Sequence, residues 1–331
     1  MISKVKVLLA CYNGEKYLNQ LLQSLEEQTY TDWELLIRDD GSSDSTLEII
    51  ASFQRKHPGK VQIIDSLKKH LGVIGSFSEL MAASSADWLF FCDQDDVWLP
   101  EKISEMLSFA HQNELIPERV HLIHSDIVVV DERLQTLGES FFKYQRIDPT
   151  PKNLLNLLVQ NNVTGCATMA SRGLIEKSLS IPQESCMHDW WIALVAAAFG
   201  NTYLIEKPLL LYRQHGNNDT GAKKYNMFYV LKKIAFLKDA LWRVTQTIAQ
   251  SRAFLERYGE ELPESARRDV QEFSMILTKP RLQRFILLAR MGLRKSGFFR
   301  TFGFYFVIFL LSTVKDSPSN PGYTHTETPK T

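Results

Sequence analysis

The chain has 331 residues, 44% hydrophobic and 23% charged, with 38 Lys plus Arg balanced by 38 Asp plus Glu. That length accommodates one large domain or two smaller ones, and the composition is that of a globular protein rather than a disordered or fibrous one. The absence of net charge gives no reason to expect nucleic acid as a partner, and four scattered cysteines without a CxxC pair suggest neither a structural zinc site nor a redox pair.

In chain order, Val5 to Ala10 predicts a strand; the run up to Leu9-Ala10-Cys11 is too short an apolar core for a signal peptide. Tyr17 to Glu27 carries Leu18, Leu21, Leu22 and Leu25 at helical spacing. Trp33 to Arg38 predicts a second strand, and Ser45 to Lys56 a helix capped by Ser42-Ser43-Asp44. Val61 to Ile64 and Ser76 to Ala83 repeat the pair before a strand over Trp88 to Phe91, and Pro100 with Glu101 opens the next helix. This βαβα order implies a mainly parallel sheet with helices on both faces. His121 to Val130 contains a strand, Asn153 to Val159 predicts a helix and Val163 to Ala170 a strand. Met187 to Phe199 is a strongly apolar helix, and Tyr203 to Tyr212, interrupted by Pro208, predicts late strands before a polar turn over 213 to 220.

The last third is different in character. Tyr225 to Tyr258 predicts a long helix broken at Gly259 and Pro263, and a second helix runs to Leu277. Between Arg281 and Val314 there are six basic residues (Arg281, Arg284, Arg290, Arg294, Lys295, Arg300) and no acidic one, mixed with aromatic and aliphatic residues. Basic and apolar residues together on helices suggest an interfacial membrane anchor, with a packing or oligomer interface as the other reading. The apolar run from Phe302 to Val314 falls short of the roughly 20 residues a bilayer span needs. The expected organisation is therefore residues 1–220 as a catalytic domain, 221–315 as a helical membrane-associating or oligomerising extension, and 316–331 as a disordered tail.

Two acidic strings carry the chemistry. Trp88-Leu89-Phe90-Phe91 leads into Cys92-Asp93-Gln94-Asp95-Asp96, three carboxylates in four positions on a strand-to-helix turn. Open α/β sheets bind ligands at such carboxyl ends. Mutual repulsion raises proton affinity there unless a cation offsets it, and oxygen ligation suits Mg2+ or Mn2+. The second strand ends in Arg38-Asp39-Asp40-Gly41-Ser42-Ser43-Asp44. A carboxylate at this tip accepts the imide N–H of uracil or thymine; the same string also serves as a helix N-cap.

With Leu9-Ala10-Cys11-Tyr12-Asn13-Gly14 ahead of them, these strings in this order and spacing resemble family 2 glycosyltransferases over about residues 4 to 220. The resemblance implies an α/β GT-A fold, Rossmann-like with a mixed, mainly parallel sheet and here a C-terminal helical extension. It implies that Tyr12, with the backbone around Ala10, packs on the nucleobase of a nucleoside-diphosphate sugar, that Asp40 or less favourably Asp39 reads the imide, and that Asp93 contacts the ribose. Asp95 would bind Mg2+ or Mn2+ bridging the donor diphosphate, with Asp96 supporting from behind. An inverting transfer also needs a carboxylate base, and in Cys186-Met187-His188-Asp189-Trp190-Trp191 that is Asp189, with His188 standing where relatives carry an acid and Trp190 and Trp191 bounding the acceptor sugar. In Tyr212-Arg213-Gln214-His215-Gly216-Asn217-Asn218, His215 would approach the metal and Arg213 the diphosphate. Asn161 to Cys166 would shape the donor-sugar side, with Gly165 permitting close approach.

Within the family the wording is most similar to bacterial rhamnosyltransferases of cell-wall or capsular rhamnan synthesis. That implies dTDP-L-rhamnose as donor, or else a UDP-hexose, a polyprenyl-linked saccharide acceptor, and a place on the cytoplasmic face of the bacterial plasma membrane. Two other readings stay open: a sugar-1-phosphate nucleotidyltransferase, which should carry a Gly-rich basic loop where Ala10 to Lys16 has one Gly, and a membrane-bound scaffold on a decayed transferase domain.

Overall fold

The computed structural model describes residues 4–64, 69–150, 153–216 and 237–313. The first half alternates β1 (Val5–Cys11), α1 (Leu18–Glu26), β2 (Trp33–Asp39), α2 (Thr46–Lys56), β3 (Val61–Ile63), α3 (Gly72–Ala82) and β4 (Trp88–Asp93). A two-residue strand β5 (Val97–Trp98) and α4 (Lys102–Gln112) follow, then β6 (His121–Val130), β7 (Thr136–Gly138), α5 (Phe141–Gln145) and α6 (Leu154–Leu157). The second half closes with β8 (Thr168–Ser171), α7 (Arg172–Ser178), α8 (His188–Phe199) and β9 (Asn201–Arg213). C-terminal to these lie α9 (Leu237–Tyr258), α10 (Glu264–Ser274), α11 (Arg281–Arg290) and α12 (Phe298–Leu310).

One mixed sheet runs β3-β2-β1-β4-β8-β6-β9-β5, with β7 on β6. The leading strands β3, β2, β1 and β4 are parallel, as their helical crossovers require, and β6 pairs parallel with β9. The antiparallel β8 joins the two parts through β4 and β6. Alternation along each strand divides the core between the two faces. Leu8, Leu36, Leu89 and Phe91 belong to one buried cluster, while Val7, Leu9, Leu35, Ile37, Phe90 and Cys92 belong to the other. Strands buried on both sides explain the near-continuous apolar runs in the sequence.

Three expectations need correction. Residues 163–167 are not strand: Gly165–Ala167 forms a 3-10 turn, and β8 begins only at Thr168. The helix expected over 153–159 is one turn, its start held by Asn153 Oδ1 accepting from Asn156 N. Tyr203 to Tyr212 is one long strand rather than two, with Pro208 in a register shift against Asp126, where no ladder donor is needed.

The described C-terminal helices pack on the sheet. Val244, Phe254, Val270, Phe273, Leu288 and Phe304 join the same buried cluster as Leu8, Phe91 and Trp191. The expected boundary at 220 and the tail from 316 lie outside the described residues, as does the start of the helix expected from Tyr225. Arg284, one of the six basic residues of the suggested anchor, is fully buried. Its guanidinium donates to the carbonyls of Leu277, Lys279, Ile308 and Leu311 and to Thr313 Oγ1, closing the C-terminus of α12. Arg290 pairs with Glu272 at 2.6 Å, and Arg300 donates to the carbonyls of Gln145 and Arg146. The face they leave outward is chiefly aromatic: Phe298, Phe299, Phe302, Phe306 and Phe309 on α12 and Leu282, Phe285 and Ile286 on α11 are exposed. Among the described residues no helix is long and apolar enough to cross a membrane.

Candidate active site

The acidic strings meet at the carboxyl ends of β1, β2 and β4. Strand register sets Ala10 between Arg38 on β2 and Asp93 on β4, so the loops that follow emerge side by side. Gln94 then stitches two of them together: its Oε1 accepts from Tyr12 N and its Nε2 donates to Tyr12 O, both at 2.9 Å. Gly14 leaves room for that clamp, because a Cβ there would stand 2.3 Å from Gln94 Oε1. Asn13, with φ of 48°, donates its backbone N–H to Ser42 Oγ and accepts from Ser43 N through its side chain. The Tyr12 ring is left half exposed, edge-on to His70 at 5.7 Å.

Asp40 does not present a vacant carboxylate to a base. Its Oδ1 accepts from buried Arg38 at 2.7 Å and from Leu71 N, and its Oδ2 accepts from Gly72 N at the start of α3. Arg38 in turn holds Glu79 and Ser76, so Asp40 belongs to a buried ion-pair network that anchors α3. Asp39, the less favoured candidate, is the more accessible; its carboxylate accepts from Gly41 N, Ser42 N and Ser42 Oγ and organises the turn.

Asp95 and His215 come together from opposite halves of the sheet. Asp95 Oδ2 and His215 Nε2 are 2.7 Å apart, and the imidazole stacks on Tyr17 with ring centroids 4.9 Å apart. Behind them carboxylate oxygens of Asp93 and Asp96 lie within 4.8 Å of each other and of Cys166 Sγ. Burial, then the charges of Asp95 and Asp189, pushes Asp93 up to about 7. Asp96 is fully buried and raised well above the usual carboxylate range, first by burial and then by Asp95 and Asp93. Its Oδ1 accepts from Arg213 N, while its Oδ2 has no hydrogen-bond partner among the described residues. Burial and then the charges of Asp96 and Asp93 push the Cys166 thiol well above the usual thiol range. Crowded carboxylates with raised proton affinity, one orphaned oxygen, and a His beside Asp95 form a donor set that fits a hard divalent cation.

Arg213 is a correction. It is buried, and its guanidinium donates to the carbonyls of Asp95 and Glu132 and to Gln20 Oε1 while lying 4.5 Å from the Tyr17 ring centroid. It braces the Asp95 loop rather than reaching for a diphosphate. Sequence reasoning missed Lys102, also fully buried, whose Nζ donates to Cys166 O at 2.5 Å and lies 3.4 Å from the Trp98 ring centroid. Burial lowers its pKa to about 8, opposed by the groups at Cys166, Cys92, Asp96 and Asp93. Its position in the first turn after an acidic string was the available signal, but burial was not legible there.

Across the site Asp189 sits in the first turn of α8. Its Oδ1 accepts from Asn161 Nδ2 at 3.1 Å and its Oδ2 from Gly165 N at 2.9 Å. Burial outweighs these hydrogen bonds and raises the carboxyl to about 6. Gly165 permits close approach, but to this helix: a Cβ there would lie 2.9 Å from His188 Nε2 and 3.4 Å from Asp189 Cβ. Trp191 is wholly buried against Phe254 and Tyr258 and bounds no acceptor, whereas half-buried Trp190 donates its indole N–H to Leu157 O.

His188 is buried between Phe77 and Phe91, both ring nitrogens without a partner among the described residues, and burial lowers it to about 3; His124 is likewise lowered to about 4. Both folded pKa values lie below the unfolded value of about 6.5, so the unfolded chain binds protons that the native state refuses and stability is lost as pH falls below 6.5. Between pH 7.5 and 5.5 each ring should cost about 1 kcal/mol. Urea unfolding at the two pH values should show that much less acid destabilisation in His188→Phe than in the parent.

A family model described as glycosyl transferase family 2 matches residues 6–177. The dTDP-rhamnosyl transferase RfbG of Shigella flexneri is 28% identical over 228 residues, 65% of this chain and 74% of that protein. The Escherichia coli UDP-Glc:alpha-D-GlcNAc-diphosphoundecaprenol beta-1,3-glucosyltransferase WfgD is 23% identical over 178 residues, 54% of this chain and 64% of that one. The fold is similar to that of the mannosyltransferase PcManGT from Pyrobaculum calidifontis in complex with GDP-Man and Mn2+. The TM-score is 0.55 at 12% identity, covering 88% of this chain and 74% of that one.

Proposed function

Because the chain belongs to glycosyl transferase family 2, with the GT-A fold of a nucleotide-sugar transferase, we propose that it is an inverting, metal-dependent enzyme that moves L-rhamnose from dTDP-L-rhamnose to a lipid-linked saccharide. The observation that carries this reading is the pairing of Asp189, a carboxyl raised to about 6, with an acidic cluster whose Asp93 feels its charge across the cleft. The likeness to RfbG supports rhamnose, and the diphosphoundecaprenol in the name of WfgD supports a lipid-linked acceptor in cell-wall or capsule synthesis.

Tyr12 packs on the nucleobase and Asp39, rather than buried Asp40, reads its imide edge. Asp93 contacts the ribose. Asp95 and His215 hold Mg2+ or Mn2+, which when bound offsets charge growing on the diphosphate. Asp189 takes the proton of the acceptor hydroxyl as its oxygen attacks the anomeric carbon; the carbon–oxygen bond to the diphosphate breaks and its electron pair leaves with the nucleotide. Trp190 borders the acceptor. The exposed aromatic face of α11 and α12, with Arg281 and Arg294 also exposed, rests on the cytoplasmic leaflet, where a lipid-borne acceptor is found.

Purified protein incubated with Mn2+, a prenyl-diphosphate-linked saccharide and each of dTDP-L-rhamnose, UDP-Glc, UDP-Gal and UDP-GlcNAc tests the donor. Nucleotide release and product should be greatest with dTDP-L-rhamnose. Preference for a UDP-hexose, the second reading that likeness to WfgD favours, would overturn the rhamnose assignment.

A further inference from the structure

A cavity of about 590 Å³ lies between residues 146–148 and 156–162 on one side and the turn joining α11 to α12 on the other. Among the described residues its lining carries three cations, Arg146, Arg294 and Lys295, against one carboxylate, Asp148. Asn156 and Asn162 also line it, but the Asn162 amide spends its two N–H groups on the carbonyls of Asp148 and Thr150, and Asn156 Nδ2 donates to Asn153 Oδ1. Ser296 ties the two walls together: its N donates to Gln160 Oε1, and its Oγ accepts from Asp148 N and from Gln160 Nε2. Arg300 reinforces the tie through the carbonyls of Gln145 and Arg146. The walls are therefore bound to each other and hold a cationic space open, within the volume range of ligand pockets.

Two features say what that space faces. On one side, Asn161 lies between the wall residues Gln160 and Asn162 and donates to Asp189 Oδ1, so the wall is continuous with the support of the base. On the other, Gly297 ends the lining and α12 begins at once with Phe298 and Phe299, both exposed. A cationic, anion-binding site is thus set between the acceptor side of the reaction and an apolar outer face.

We infer that this cavity is a phosphate subsite for the lipid-linked acceptor, with Arg146, Arg294 and Lys295 pairing with its diphosphate, the saccharide directed to Asp189 and the prenyl chain running out along Phe298 and Phe299. Guanidinium groups suit this task because they bond phosphate oxygens in pairs. The inference rests on the lipid-acceptor reading above.

Its test is binding rather than transfer, so that the two can fail separately. The full chain is titrated with geranyl diphosphate in EDTA, which removes any divalent-cation contribution at the donor site, with inorganic pyrophosphate and geraniol as separate arms. Geranyl diphosphate should bind more tightly than either arm, and R294Q/K295Q should weaken it about tenfold or more, as expected for lost charge-assisted bonds to phosphate. The charge-matched variant R55Q/K56Q on α2 should bind as the parent does, and an unchanged melting temperature of R294Q/K295Q would show that the fold survives. Equal weakening in both variants, or none in R294Q/K295Q, overturns the subsite. Pyrophosphate binding as tightly as geranyl diphosphate overturns the lipid assignment. Binding lost only in R294Q/K295Q upholds the phosphate subsite even where the parent fails to transfer to a lipid-linked sugar, an outcome that refutes the acceptor reading alone.

Discussion

Replacing Asp189 by Asn should lower kcat for transfer by about a thousandfold, within the range of roughly 10²–10⁴ for general acid–base catalysis, while the KM for donor changes little. The acceptor hydroxyl is a poor nucleophile until a base takes its proton, and an amide has no basic lone pair to offer. Burial holds the Asp189 carboxyl up to about 6, basic enough to accept the proton and still ionised at pH 7. The parental rate should therefore fall about tenfold per unit as pH drops below 6, because the acid form predominates there, and this limb should be absent from the residual activity of the variant. The substitution also disturbs the site locally. Both carboxylate oxygens accept hydrogen bonds, from Asn161 Nδ2 and Gly165 N, and Asn161 is held by Val163 N on its own Oδ1. An amide at 189 must turn an NH2 toward one of those donors, which costs about 1–3 kcal/mol if nothing relaxes. A thermal melt run beside the pH–rate profile separates the two effects: turnover at the parental level with an intact acid limb would remove Asp189 as the base.

Chelation should have the second largest effect. EDTA, or Asp95→Asn, should reduce kcat/KM by about 10²–10³, the scale of removing a group that stabilises developing negative charge. The physical ground lies in the protein itself. Asp93, Asp95 and Asp96 share a part-buried turn, Asp96 Oδ2 has no hydrogen-bond partner among the described residues, and the buried cations beside them, Lys102 and Arg213, spend their side-chain donors on Cys166 O and on the carbonyls of Asp95 and Glu132 and Gln20 Oε1. Re-addition of Mn2+ or Mg2+ should restore the parent treated with EDTA and fail to restore the variant. Mn2+ titration followed by electron paramagnetic resonance gives a readout independent of turnover, and D95N should bind Mn2+ more weakly. Full activity in EDTA would exclude the assignment.

The local part of this architecture was legible before any coordinates. Strand and helix alternation to Phe91, the acidic strand tips and the apolar helix at 188–199 all follow from neighbours in sequence: buried strands make apolar runs, and helices show their period. Where the reading failed, a distant partner decided. Gln94 pairs with the backbone of Tyr12, 82 positions away, and Arg213 with Gln20, 193 away, and neither separation leaves a trace in a local pattern. Val163 to Ala170 read as strand because its residues suit one, yet its first part turns to bring Gly165 N onto Asp189.

The sequence by itself determined the fold class, the family and the inventory of polar groups near the site, because each depends on residue type and short-range order. Only the tertiary structure decided which of those groups face the cleft. Asp40 and Arg213 are charged and Trp191 is large and aromatic, all fitting a binding role by type. Burial turned them to Arg38 and the start of α3, to the carbonyls of Asp95 and Glu132, and to Phe254 and Tyr258. A charge removed from water must find partners inside the protein, and those partners come from chain segments far away in sequence.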